Sequence, residues 1–202
     1  MRDIWEEQLK WLESGEPFVL ARVIRTWRSA PRKSGAGMLI AKGMDNAPLP
    51  KVLGSVSGGC IEGAVIEEAL DALETSESRR LSFGVEDELA LSVGLSCGGE
   101  VTVLLEKHWA FSADPNTKKV WETLQNCISN NMPAILISPL PAENGLSTEN
   151  KEPLLILPEG ENVGGMENNL EEVTALAEEA YKERENRIVE IGGEEYFMQI
   201  FP

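Results

Sequence analysis

The chain has 202 residues, 42% hydrophobic and 26% charged, with 18 Lys+Arg against 34 Asp+Glu and a net charge of −16. This is ordinary globular composition, enough for one large domain or two small ones, and it argues against intrinsic disorder. No apolar run approaches the roughly 18 residues of a membrane helix, the acidic total opposes general nucleic-acid binding, and residues 1–7 lack the basic and apolar regions of a signal peptide, so the expectation is a cytoplasmic protein with no nucleic acid and no membrane as partner.

In chain order, Ile4, Trp5, Leu9 and Leu12 recur at helical spacing before Gly15, predicting a helix over residues 3–14. Residues 17–27 read as a strand, 29–37 as a loop with Pro31, Gly35 and Gly37, and 38–41 and 52–56 as short strands. A helix follows over 60–76, then strands at 80–83 and 101–106, the latter alternating Val101, Val103 and Leu105 with Thr102 and Leu104. Asp114 and Pro115 can cap a helix running to 130. Strands are predicted at 133–138 and 153–157, an acidic helix at 168–185, and a closing hairpin of 188–191 and 196–201 around Gly192-Gly193. Strands and helices do not alternate strictly, so the expected class is α+β, a mixed sheet flanked by helices. Two subdomains are expected, 1–108 and an acidic 109–202.

Charge is uneven along the chain. Residues 1–108 hold 12 basic and 17 acidic side chains, and 109–202 hold 6 and 17. The window 17–44 contains Arg22, Arg25, Arg28, Arg32, Lys33 and Lys42 and no acid. Such an island either attracts a small anion or pairs with acids folded over from elsewhere. The acidic residues of 167–185 read as a solvated helix face.

Cys60, Cys97 and Cys127 form no Cys-x-x-Cys pair, and His108 is the single histidine, so neither a disulfide framework nor a four-ligand zinc site is indicated. Cys127, within a helix, reads as packing, and His108, at a strand end, as structural. Cys60 and Cys97 each adjoin a Gly-Gly pair, in 54–64 (GSVSGGCIEGA) and 94–99 (GLSCGG). The first segment lies at a strand-to-helix junction, neither a Walker loop nor a dinucleotide fingerprint. Cys60 is expected in the helix's first turn, where a thiolate is favoured. Either thiol could instead be a small packed hydrophobe. Glu62 falls on the apolar arc of Ile61, Val65, Ile66, Ala69 and Leu70, and a carboxylate there needs a partner: it caps the loop, or it orients an Arg or a ligand.

Residues 25–32 (RTWRSAPR), 54–64 and 94–99, in this order, resemble the XdhC/CoxI family of molybdenum-cofactor maturation proteins, with the likeness spanning about 17–106. The resemblance implies a chaperone rather than a metabolic enzyme. Such a chaperone transiently binds molybdenum cofactor (molybdopterin), protects it while a cysteine desulfurase installs its terminal sulfur, and delivers it to apoproteins of the xanthine dehydrogenase or carbon monoxide dehydrogenase type. It makes Arg25, Arg32, Ser55, Ser57, Gly58, Gly59, Cys60, Glu62, Ser96, Cys97, Gly98 and Gly99 the expected cofactor-binding residues, with Cys60 and Cys97 as soft contacts to metal and no catalytic residue. Arg25, Arg32 and the N–H groups of 58–60 would hold the anionic phosphate or oxo-metal head. A homodimer is compatible with this reading. Two alternatives stay open: a cysteine-dependent sulfurtransferase carrying persulfide on Cys60 with Cys97 resolving it, and a structural adaptor docking through its acidic half. Family members often have Gly where this chain has Arg28, and Pro-Pro-Gly where it has Lys33-Ser34-Gly35. Many also continue into a Rossmann domain, absent from this sequence, so the expectation is either a short CoxI-like form or a 109–202 unit that ends at a linker to that domain.

Overall fold

The computed structural model describes residues 1–84, 98–147, 151–166 and 168–202. A 3-10 turn (Arg2–Ile4) leads into α1 (Trp5–Glu13), β1 (Val19–Trp27), β2 (Gly37–Ala41), β3 (Lys51–Gly54), α2 (Glu62–Thr75), β4 (Ser78–Phe83) and β5 (Glu100–Lys107). Next come α3 (Pro115–Ser129), β6 (Ala134–Pro139), β7 (Leu146–Ser147), β8 (Leu154–Ile156), β9 (Asn162–Gly164), α4 (Leu170–Glu183) and the pair β10 (Arg187–Ile191) and β11 (Glu194–Phe201). The α+β class is as expected. The sheets, however, are not mixed: every pairing between described strands is antiparallel.

The chain divides into two compact units, Met1–His108 with Pro141–Thr148, and Trp109–Leu140 with Glu149–Pro202. The expected single boundary after 108 is thus crossed by a short excursion, because β7 pairs with β4 and completes the first sheet.

The first unit is a six-stranded sheet of order β3-β2-β1-β5-β4-β7. On one face Val19, Ala21, Val23, Met38, Ile40, Val101, Val103 and Leu105 pack against Val65 and Ala69 of α2. The opposite face buries Leu20, Leu39 and Leu104 together with polar groups. Arg22, fully buried, lies opposite Leu104 in the register and pairs with Glu106 at 2.6 Å. A bulge between Val23 and Arg25 shifts β1 by one residue. Beyond it β1 changes from buried to exposed, and Arg25 and Trp27 lie opposite Thr102 and Glu100. Both therefore face away from α2.

The second unit is a five-stranded sheet of order β10-β11-β6-β8-β9. Ile135, Ile137, Leu154 and Ile156 pack with Val173, Ala177 and Ala180 of α4, while α3 packs on β6, β8 and β9. Asp114 caps α3 through Thr117 N–H at 2.7 Å, with Pro115 at the first helical position. Val120, Trp121, Leu124 and Cys127 are its buried residues. Burial raises the Cys127 thiol pKa, in keeping with a packing role.

Candidate functional site

The loop from β3 into α2 is organised by one carboxylate. Glu62 Oε1 accepts from Ser55 Oγ (2.7 Å), Val56 N–H (3.2 Å) and Ser57 N–H (2.9 Å). Its Oε2 accepts from Ser57 Oγ (2.6 Å) and Gly59 N–H (2.9 Å). The serines extend the network: Ser55 Oγ accepts from Gly58 N–H at 2.7 Å, and Ser57 Oγ from Cys60 and Ile61 N–H, each at 3.0 Å. Six successive N–H groups, Val56 to Ile61, thus have partners inside the loop. Of the two roles open for Glu62, the observed contacts are those of the cap. Partial burial pushes its pKa up, but the hydroxyl and N–H donors outweigh this and hold the carboxylate at about 2.

This wiring changes two expectations. Gly58 and Gly59 adopt φ +76° and +117°, which a helix cannot use, so α2 starts at Glu62 and Cys60 lies two residues before it rather than in its first turn. The N–H groups of 58–60, expected to face an anion, point at Glu62 and the serine hydroxyls instead. Cys60 is a free, half-buried thiol at the edge of the α2-side core, where Ala30 and Ala64 also pack.

The three sequence motifs meet here as far as they are described. A side chain at Gly58 would touch the Pro31 ring at 3.5 Å. Arg32 Nε donates to the Ser55 carbonyl at 3.2 Å, and its guanidinium also pairs with Asp3. Gly99 presses on the start of the same loop: a Cβ there would lie 3.1 Å from the Trp27 carbonyl oxygen and 3.2 Å from the Ala30 nitrogen. Gly98, with φ +66°, has open space beside it. Loop 27–31 is therefore held between the Gly58 and Gly99 segments. Ser96 and Cys97 lie outside the described residues, so Cys60 is the described member of the expected thiol pair. Among the described residues no group of three or more His, Cys, Asp or Glu side chains could hold a metal ion.

The basic window is largely paired, as the second of its two readings has it. Arg22 binds Glu106, Arg25 binds Glu143 at 2.5 Å on the face away from α2, and Lys42 binds Glu74 at 2.6 Å. Arg28 and Lys33 form no ion pair among the described residues. Arg28 occupies a left-handed conformation, φ +59°, at the position where Gly is frequent in the resembling family. His108 is buried against Phe18, ring centroids 4.9 Å apart, and burial with the nearby Arg22 charge pushes its pKa down to about 3. Sequence reasoning missed that Ser55 and Ser57 relay the Glu62 clamp to the rest of the loop. The spacing Ser-x-Ser-x4-Glu was the available signal. It also passed over Trp27, the most exposed tryptophan, at 62%.

Residues 11–84 match the model of the XdhC and CoxI family. Over 106 residues the chain is 31% identical to the molybdenum cofactor insertion chaperone PaoD of Escherichia coli (strain K12), covering 52% of this chain and 31% of that protein. It is 30% identical over 119 residues to a probable xanthine dehydrogenase subunit of Bacillus subtilis (strain 168), covering 58% and 33%. The matches span about a third or less of the length of these curated relatives. A solved xanthine dehydrogenase from Bacillus halodurans shares the fold, with a TM-score of 0.65 at 22% identity over 96% of this chain and 52% of the other. Among the described residues no helix is long and apolar enough to cross a membrane.

Proposed function

We propose, from the match of residues 11–84 to the XdhC and CoxI family model, that the chain is a maturation factor that holds molybdenum cofactor as cargo and passes it to an apoenzyme of the xanthine dehydrogenase type. The observation that carries the reading is the loop cluster, in which loop 27–31 is held between Gly58 and Gly99 and Arg32 supports Ser55. Such a cluster presents Cys60 from a loop whose N–H groups are already satisfied, so binding would not have to order it first. Cys60 is the soft contact to the metal or its sulfur, joined by Cys97. Arg25 meets the phosphate by exchanging its exposed partner Glu143 for it, since an exposed ion pair contributes little. Ser55, Ser57 and Glu62 act by positioning, and Gly58, Gly59, Gly98 and Gly99 by close backbone approach. The sulfur on the cargo is supplied by a cysteine desulfurase acting on the bound cofactor.

The test is delivery. Protein loaded with isolated molybdenum cofactor and freed of excess by gel filtration is mixed with a cofactor-free xanthine dehydrogenase apoenzyme. Activity is expected to appear, and to survive an air exposure that destroys the same amount of free cofactor. Activation no better than that given by free cofactor would overturn the proposed role.

A further inference from the structure

Resting on that reading, we propose that Trp27 is the stacking platform for the pterin ring of the cargo, with Arg25 on the same strand face taking its phosphate. A tryptophan that is 62% exposed leaves most of a large apolar ring in water. The chain's other tryptophans are less exposed, Trp11, Trp109 and Trp121 at 4–5%. Trp27 is also held in place rather than loose. It is the last residue of β1, paired with Glu100. Its carbonyl lies against Gly99 so closely that any side chain at 99 would push on it. The chain then turns sharply, Arg28 taking φ +59° and its carbonyl accepting from Ala30 N–H at 2.9 Å. An exposed indole on a backbone held in this way is a surface for a flat heteroaromatic ring, and the backbone loses little freedom on binding.

The surroundings select the kind of ring. The bulge before Arg25 puts Arg25 and Trp27 on one face, two residues apart. Arg28 adjoins the indole in sequence and has no ion-pair partner among the described residues. Glu100, the cross-strand neighbour, packs its Cγ toward Gly84. A π-face with a guanidinium on the same strand face suits a ring that carries an anion, which is the chemistry of a phosphorylated pterin. From Trp27 to Pro31, which abuts Gly58, is four residues, at most about 14 Å of chain. Loop 27–31 leads from Trp27, on the face away from α2, to Pro31 beside the Cys60 loop, so the platform belongs to the same loop cluster.

Trp27→Ala, Trp27→Phe and the unaltered chain are compared in two measurements. One is retention of isolated molybdenum cofactor through gel filtration, read as molybdenum per chain. The other is quenching of tryptophan emission by a metal-free phosphorylated pterin. The unaltered chain is expected to show both retention and quenching. Trp27→Ala should bind the pterin about tenfold or more weaker, and Trp27→Phe should recover most of that loss, all three with the same far-ultraviolet circular dichroism. Retention by the unaltered chain that Trp27→Ala matches overturns the platform while leaving the proposed cargo intact. No retention by the unaltered chain overturns the proposed function and the platform together. A Trp27→Ala protein that keeps its cofactor yet no longer activates apoenzyme would make Trp27 a protein-docking residue, and would also contradict the platform.

Discussion

The two units solve the same architectural problem with different interiors. Each is an antiparallel sheet with a helix laid on an apolar face. In the second unit the α4-side cluster is hydrophobic throughout, and the acids are carried on exposed positions such as Glu171, Glu172, Glu178 and Glu179. In the first unit Arg22 and Arg80, each opposite Leu104 in the register, are buried on the face away from α2, Gln8 and His108 are buried as well, and the turn into α2 is wired through Glu62. The family match falls within the first unit. Buried polar groups are costly unless partnered, so their concentration in one unit marks where a particular loop geometry matters more than burial alone.

Mutations can break this contrast in descending order of effect. Arg22→Ala leaves Glu106 without its partner on a buried face and should cost about 3–5 kcal/mol in urea unfolding. An Arg22→Met protein as stable as the parent would show the ion pair to be dispensable. Glu62→Ala removes the acceptor of five hydrogen bonds and should cost about 2–3 kcal/mol, with raised protease sensitivity confined to residues 55–61. Equal cleavage of parent and variant would refute the clamp.

Acid should weaken the first unit in two windows. His108 is neutral in the fold, its pKa lowered to about 3, whereas the unfolded chain takes up a proton below about pH 6.5. Its contribution is complete above that pH and declines by up to about 1.4 kcal/mol per pH unit as pH falls toward 3. Glu62, held at about 2, contributes fully above its ordinary value of 4.5 and loses that contribution between 4.5 and 2. Urea midpoints measured from pH 7 to 4 should therefore fall, and His108→Gln should flatten the slope; an unchanged slope would mean that His108 has no part in the acid sensitivity.

The smallest effects concern single caps and turns. Asp114→Ala in the second unit should cost about 1 kcal/mol through the lost α3 cap. Arg28→Gly should raise stability by about 1 kcal/mol by relieving the left-handed backbone, and a loss of stability there would show that the arginine side chain contributes more than its conformation costs.

How far these features were legible in the sequence follows from their range. Asp114-Pro115 announced α3 and Gly192-Gly193 the final hairpin, because capping and turn chemistry are local. Glu62 announced itself as an anomaly on an apolar arc, but its five donors come from a loop whose path only the fold supplies. Arg22 and Glu106 are 84 residues apart and become partners only because β1 pairs with β5. The short strands β7 and β9 carry too few residues to show a period. The reversal of Arg25 and Trp27 onto the face away from α2 depends on a bulge that no turn residue marks. The start of α2 lies two residues later than Cys60 because the positive φ values of Gly58 and Gly59 extend the loop to Ile61, and a Gly-Gly pair before an apolar arc looks the same in sequence whether or not it does so.

Holding molybdenum cofactor is the role proposed for the Cys60 loop cluster. Its most direct test measures molybdenum bound per chain, after gel filtration with isolated cofactor, for the parent and for Cys60→Ala/Cys97→Ala. Near-stoichiometric molybdenum is expected on the parent, and its loss from the double variant at an unchanged melting temperature. Equal molybdenum on both proteins, or none on the parent, would contradict that role.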